Sequence, residues 1–160
     1  MKIFNQCYLN KLTMQAHGEP RKRKHHNIHE SYSDPCQRLF NAIEPSSYIR
    51  PHMHSSDPKD ELLIAIRGVM ALVTFDEHGI MARVIRFAAG SNDFDVAVGV
   101  EVPANTWHTV VSLEPGSILL EIKTGPFDPK KPKDLALWAP DENGPDAKHY
   151  LEKLTSKVIG

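Results

Sequence analysis

Three histidines and one glutamate have the donor types and spacing of a metal site. His52 and His54 are two positions apart, Glu61 begins an apolar run after a polar loop, and His108 starts a later run. Because alternate residues of a strand share a face, His52 and His54 can point together into a barrel. Three imidazoles and a carboxylate suit one divalent Fe, Mn, Ni, Co or Zn ion and leave coordination positions open. The alternative is a metal-free, hydrogen-bonded polar cluster.

Short apolar runs separated by turn sequences must position these four residues. The runs are rich in Val, Ile and Phe and predict eight strands, at 37–43, 47–54, 61–67, 69–75, 80–87, 96–103, 107–112 and 117–123. Strands joined by hairpins without interleaved helices indicate an all-β sandwich or jelly-roll barrel. Apolar residues at helical spacing predict short flanking helices over 4–17 and 146–158.

The chain of 160 residues fits one domain. We divide it into an N-terminal helical arm (1–20), a β-barrel (21–127), and a proline-rich C-terminal tail with a helix (128–160). We expect the proline-rich part to lie over the surface of the barrel, because Trp138 should seek burial.

Composition narrows the class of partner. The 19 basic residues are balanced by 20 acidic ones, which argues against nucleic acid. No apolar stretch approaches the roughly 18 residues of a spanning helix, so we expect no membrane partner. The N-terminus lacks the uninterrupted apolar segment of a secretory signal, and Cys7 and Cys36 do not form a disulfide framework. We therefore expect a cytoplasmic protein with reduced thiols, with a disulfide as the alternative.

The order of the candidate ligands resembles the two motifs of the cupin family. That family has His-x-His, then Glu and a following Gly, here Gly68, and later a proline that precedes the third histidine. This sequence departs from the family pattern in its loops. Six residues separate His54 from Glu61 where the family has three or four, Asn105 replaces the usual glycine, and Ser112 replaces the usual asparagine. These departures leave the four ligands in place.

Over nearly the whole chain the sequence resembles more closely the WbuC-type cupin-fold metalloproteins, which are associated with bacterial O-antigen gene clusters. The matching pieces are the N-terminal helix, Arg21–Arg23 leading to Asn27 and His29, Tyr48–His54, Phe75–Gly79, Pro103–His108, Leu113–Gly116, Glu121–Phe127 and Trp138–Pro140. The resemblance implies a cupin jelly-roll barrel, or double-stranded β-helix, that holds a metal ion. It also implies a link to surface polysaccharide synthesis. Fold analogy adds a homodimer.

Two residues that precede the histidines are candidates for contact with a ligand. Arg50 and Tyr48 share strand parity with His52 and His54. The guanidinium of Arg50 would offer a bidentate fork to an anion near the metal. Tyr48 lines the same pocket or fills the core.

Arg23, Asn27 and His29 alternate as a strand at the barrel mouth would require, and the resemblance includes them. The alternative is a solvated basic patch, which we predict for the neighbouring His25. Glu121 and Lys123 share one strand face. They form either a surface pair or, as the resemblance implies, a pair inside the barrel.

These residues predict a metal-dependent protein with a small anionic or sugar-derived ligand. The metal would polarise a substrate oxygen or activate dioxygen, which suits an isomerase, an epimerase or a dioxygenase. No residue stands out as a general base. Two alternatives are a non-catalytic, metal-dependent ligand-binding module and a metal-independent sugar-nucleotide epimerase, whose chemistry would not need the four ligands.

Overall fold

Ten strands and two helices form the fold, for which a computed structural model describes residues 1–131 and 133–160. They are α1 (Gln6–Gly18), β1 (Arg23–Asn27), β2 (Cys36–Ile43), β3 (His52–Met53), β4 (Glu61–Arg67), β5 (Val69–Phe75), β6 (Met81–Ala88), β7 (Gly99–Val102), β8 (Trp107–Ser112), β9 (Ser117–Thr124), β10 (Asp134–Leu135) and α2 (Ala147–Ile159). The predicted all-β class with two flanking helices is confirmed. Neither helix of the described residues is long and apolar enough to cross a membrane.

The strands pair into two five-stranded sheets, which make a jelly-roll barrel. One sheet has the order β1-β2-β9-β4-β7 and the other the order β10-β3-β8-β5-β6, and the ladders within both are antiparallel. Alternation along the strands sends one set of side chains inward, as in β4, where Leu63 and Ala65 are buried. These join Met70, Leu72 and Phe87 in the apolar core between the sheets.

Each helix covers the outer face of one sheet with an amphipathic stripe. In α1, Leu9, Leu12 and Ala16 pack against Phe40 and Ile118 of the first sheet. In α2, Leu151 and Leu154 pack with Val73 and Val111 of the second sheet. The helices therefore bury outward-facing apolar residues and leave the barrel interior to the strands.

The tail between β9 and α2 adds a strand to the second sheet. Strand β10 pairs antiparallel with β3, with Asp134 opposite Met53 and Leu135 opposite His52. The N–H of Ala136 extends this pairing by donating to the Pro51 carbonyl at 2.9 Å. Pro132, within the predicted tail, lies outside the described residues.

Trp138 fixes the far end of the tail against the β5–β6 hairpin. Its ring lies 5.0 Å from Phe75 and 6.1 Å from Trp107, measured between ring centroids. At Gly79 in the hairpin turn, φ is +82°, and an added Cβ would lie 2.6 Å from the Trp138 ring. Glycine is required there by both backbone conformation and space.

The strand predicted at 47–54 is wrong for most of its length. Only His52 and Met53 form strand, and residues 47–51 are irregular. Pro51 has no N–H to give to a ladder, and the Arg50 N–H bonds a side chain, Glu142, at 3.3 Å instead. The other predicted strands are present with ends shifted by a few residues, and β1 and β10 are additional.

Candidate metal centre

The four candidate ligands lie together at one end of the barrel cavity. His52 on β3 is directly opposite His108 on β8, Glu61 is the first residue of β4, and His54 follows β3. The ring centroids of His52 and His108 are 4.5 Å apart, and His54 lies 5.4 Å from His52 and 6.3 Å from His108. Strand pairing thus brings three imidazoles to one place from two separate parts of the chain.

The hydrogen bonds of two histidines favour the tautomer that a metal needs. Nδ1 of His52 lies 3.0 Å from the Arg50 carbonyl, and Nδ1 of His108 lies 2.8 Å from the Thr106 carbonyl. A carbonyl oxygen can only accept, so each Nδ1 carries the proton and each Nε2 keeps its lone pair. This arrangement orients a ligating imidazole in metal sites.

Glu61 faces two of these imidazoles. Its carboxylate oxygens lie 3.2 Å from Nε2 of His54 and 3.4 Å from Nε2 of His108. For His108, a lone pair and a carboxylate oxygen face each other, and such a pair is favourable only with a cation or a proton between them. The donor chemistry of the cluster therefore fits a divalent metal ion.

A lysine also contacts the carboxylate of this cluster. The ammonium of Lys123 lies 2.9 Å from Glu61 Oε1 and 3.0 Å from Glu121 Oε1. Among the described residues, no group of three or more His, Cys, Asp or Glu side chains already has the arrangement of a metal shell. A four-ligand shell would require Glu61 and the imidazoles to shift, and the ligand assignment stays a prediction.

Burial and neighbouring charges act in opposite directions on the pKa values of Glu61 and Lys123. Burial raises the pKa of Glu61, but the contacts with His108 and His54 and the charge of Lys123 lower it more, so its pKa lies well below the usual range. Burial lowers the pKa of Lys123, and Glu121 and Glu61 raise it by more, which leaves the pKa above its ordinary value. Burial, with the charges of Lys133 and His108, places the pKa of His52 well below normal.

A cavity of about 490 Å³ opens from the cluster. Its inner wall is apolar and consists of Ile43, Ile49, Leu63, Val110 and Leu119. Five basic side chains lie on its lining, namely Arg21, Arg23, Lys123, Lys131 and Lys133, against two acidic ones, Glu61 and Glu121. The volume is within the usual range for small-molecule sites, and the charge favours an anion.

Three of the seven predicted ligand contacts line this cavity. They are Arg23, Glu121 and Lys123. The guanidinium of Arg23 is also committed to protein groups, since it donates to the Tyr48 carbonyl at 2.8 Å and to Glu142 Oε2 at 2.5 Å. The pair of Glu121 and Lys123 lies inside the barrel, as the resemblance implies.

The other four predicted contacts do not line the cavity. Asn27 is exposed at the end of β1, and buried His29 uses its Nδ1 on the backbone of Arg38. Arg50 donates through Nε and Nη2 to the Ala136 carbonyl at 2.9 and 2.8 Å, and Tyr48 donates to the Pro140 carbonyl at 3.0 Å.

Strand parity predicted that Arg50 faces the ligand, and this prediction is wrong because residues 47–51 are not a strand. In this irregular segment Ile49, rather than Arg50, reaches the cavity. Alternation along an extended backbone cannot be carried through the break before His52.

Several lining residues are absent from the sequence predictions. His25, predicted as part of a solvated patch, lies on the cavity because it shares the β1 face of Arg23, and that alternation was available as a signal. Lys131 and Lys133 come from the tail. No periodicity marks them, since their position depends on the pairing of β10 with β3.

Comparisons with known proteins agree with this architecture. A family model described as "Domain of unknown function (DUF6016)" matches residues 4–87, which is more than half of the chain. A search of the curated proteins found no match.

Several solved structures share the fold. KdgF from a Halomonas species has a TM-score of 0.50 and 16% identity, over 68% of this chain and 83% of that one. A Shewanella oneidensis protein from a structural genomics consortium has a TM-score of 0.57 and 9% identity, over 81% and 84%. Oxalate decarboxylase from Bacillus subtilis has a TM-score of 0.51 and 17% identity, over 71% of this chain and 27% of that one. This chain therefore spans about a quarter of that enzyme. The shared feature is the cupin jelly-roll barrel.

Proposed function

Because the chain belongs to the family of domains of unknown function DUF6016, we propose its function from the cavity itself: it binds one divalent metal ion and a small anionic molecule. The metal ligands are His52, His54, Glu61 and His108. The observation that carries this proposal is the meeting of three imidazoles and a carboxylate at the end of a cavity whose lining has an excess of basic side chains. Metal and cationic groups would then act on one bound molecule.

In this proposal, different residues orient the metal ligands, keep Glu61 charged and exclude water. The Arg50 and Thr106 carbonyls hold His52 and His108 with Nε2 towards the site. Lys123 holds the Glu61 carboxylate in its charged form, and the apolar wall keeps water from one side of the ligand. A metal bound there would supply a Lewis acid that polarises a ligand oxygen.

Two candidate functions differ in whether the bound molecule is converted to a product. An isomerase, an epimerase or a dioxygenase would use such a site. The name of one structural neighbour, oxalate decarboxylase, shows that this fold can act on a small carboxylate. A non-catalytic ligand-binding module is the second candidate, and one observation favours it. Both acidic side chains of the cavity share an ion pair with Lys123, so each carboxylate of the described lining is already engaged by an ammonium group rather than free to act as a base.

The finer predictions rest on the sequence resemblance, and in the case of the homodimer on fold analogy and of the location on the N-terminus and cysteines. They are a WbuC-type role, a sugar-derived ligand in O-antigen synthesis, a homodimer and a cytoplasmic location. A metal-independent epimerase that uses tyrosine is less well supported, because Tyr48 lies outside the cavity.

Elemental analysis after loading with each of Fe, Mn, Co, Ni and Zn tests the proposal. We expect about one equivalent of metal in the wild type, and its loss in His52→Ala and His108→Ala. The matched control is His78→Ala, an exposed histidine in the β5–β6 turn, which should keep its metal. A wild type without metal after loading would contradict the proposal, as would full retention in both cavity variants.

Assays of the loaded protein then separate the two candidate functions. Small carboxylates and sugar nucleotides are offered as substrates, and their binding is measured in parallel by calorimetry. Product formation that His108→Ala abolishes supports an enzyme. Tight binding without product supports the ligand-binding module.

A further inference from the structure

Two lysines of the tail reach the cavity from outside the barrel. Lys131 and Lys133 both lie on the cavity lining, and they come just before β10, which pairs with β3. Leu135 pairs with His52, so this part of the tail runs beside a candidate metal ligand. The ammonium of Lys133 is close enough to contribute to the lowered pKa of His52, after the effect of burial.

Charge pairing distinguishes these lysines from the other basic residues of the cavity. Arg23 and Arg21 both lie near Glu142, at 2.5 and 3.7 Å, and Lys123 contacts two carboxylates. In the described part of the chain, neither Lys131 nor Lys133 has an acidic side chain within 4.0 Å. Lys131 and Lys133 are therefore the basic residues of the described lining that no carboxylate contacts.

Lys133 is the better placed of the two. It is partly buried, whereas Lys131 is exposed. Burial lowers the pKa of Lys133, with Arg23 acting in the same direction and Glu142 against it. A partly desolvated ammonium without a counter-ion is unfavourable, and an anion in the cavity would relieve this cost.

The tail that holds these lysines is fixed to the barrel at two points. The Arg50 guanidinium donates two hydrogen bonds to the Ala136 carbonyl, at 2.9 and 2.8 Å. The carboxylate of Asp134 accepts from the N–H and hydroxyl of Ser55, at 3.0 and 2.5 Å. Arg50 thus acts on the cavity through the tail, as a positioning residue.

We propose that Lys133, assisted by Lys131, binds the charged end of the ligand and that this ligand carries two negative charges. Two cations without protein partners match a dianion, and the chemical class is a small dicarboxylate or a phosphate monoester. This inference rests on the proposed function, because the other end of the ligand would reach the metal candidate. The cavity of about 490 Å³ limits the ligand to a small molecule.

Calorimetry with three probes tests the inference. Succinate and inorganic phosphate are the dianions, and acetate is the monoanion. Lys133→Met should weaken binding of the preferred dianion by about tenfold or more and that of acetate by less, and Lys131→Met should have a smaller effect. Lys133→Arg, which keeps the charge, should restore most of the affinity. Lys130→Met is the matched control, because Lys130 is an exposed tail lysine that does not line the cavity. The affinity of this variant for the dianions should equal that of the wild type.

The outcomes separate this inference from the proposed function. Each protein is titrated with and without metal, and its metal content is measured. Dianion binding that depends on Lys133 in a protein that takes up no metal would support the lysines and overturn the metal site. Full metal content with dianion binding unchanged in Lys133→Met would overturn the lysine inference alone. A wild type that binds neither dianion, or that prefers acetate, would also overturn it.

Discussion

The metal candidates and the tail lysines face the same cavity but are held in different ways. His52 and His108 are fixed by direct pairing of β3 with β8, and Glu61 by the pairing of β4 with β9. Lys131 and Lys133 depend on one short strand, two side-chain anchors and Trp138. The first group belongs to the barrel and the second is attached to it.

This difference suggests a division between chemistry and recognition. Strand ladders hold donor atoms within the small tolerance that a metal needs. A segment outside the barrel core can change its charges with little cost to folding, since few buried apolar contacts depend on them. The variants below should therefore disturb one group without the other.

Removal of the metal should give the largest effect and should act on the barrel group alone. A metal at a thousand times its dissociation constant stabilises the folded state by about 4 kcal/mol. A chelator should therefore lower Tm by about 10 °C in the wild type. Thermal unfolding with and without EDTA measures this. Lys133→Met should show the full shift and His108→Ala none, and an equal shift in His108→Ala would place the stabilising ion elsewhere.

Arg50→Met should displace the two tail lysines, Lys131 and Lys133, without loss of the metal. The substitution removes the two Arg50 hydrogen bonds to the buried Ala136 carbonyl, which keeps the Ala139 N–H at 3.3 Å, and it removes the ion pair with Asp141. We therefore expect a loss of about 2 kcal/mol in the free energy of unfolding. Dianion affinity should fall as in Lys133→Met, with normal metal content. Urea unfolding and calorimetry measure the two effects.

The control for Arg50 is Arg86→Met, at an exposed position of β6. Its free energy of unfolding should stay within about 0.5 kcal/mol of the wild type. Normal dianion affinity in Arg50→Met would show that the lysines do not depend on this anchor.

Substitution of Asn105 should give the smallest effect on the free energy of unfolding. It tests the backbone conformation of a turn in the barrel. Its φ is +60°, a left-handed conformation that asparagine tolerates better than other side chains. Asn105→Ala should cost about 1 kcal/mol in the free energy of unfolding, and Asn105→Gly should cost almost nothing. Dianion affinity should be unchanged in both variants. Equal losses in the two variants would mean that the asparagine side chain, rather than φ, matters.

The sequence was sufficient for the barrel and for the meeting of its four polar residues. Side chains alternate along β4, β8 and β9, so strand parity places Glu121 and Lys123 on one face, and the family resemblance rather than parity indicated that this face is the interior. The usual glycine of the second cupin motif is replaced by Asn105, whose φ of +60° is a conformation that glycine adopts readily and asparagine tolerates.

The contacts around this cluster could not be predicted in the same way. Parity failed for Arg50 because Pro51 interrupts the strand, and the proline was the available signal that alternation could not be carried across residues 47–51. Lys133 reaches the cavity through pairing across about eighty residues of sequence, between Leu135 and His52. Such pairing depends on the whole fold rather than on neighbouring residues.

The contact between Gly79 and Trp138 ties the choice of ligand to a surface hairpin. Any side chain at position 79 would displace the Trp138 ring, and Lys133 lies only five residues before that ring in the tail. A substitution in the turn would therefore alter ligand preference although no cavity residue had changed. We therefore expect that a related protein with a side chain in place of Gly79 has a smaller residue in place of Trp138.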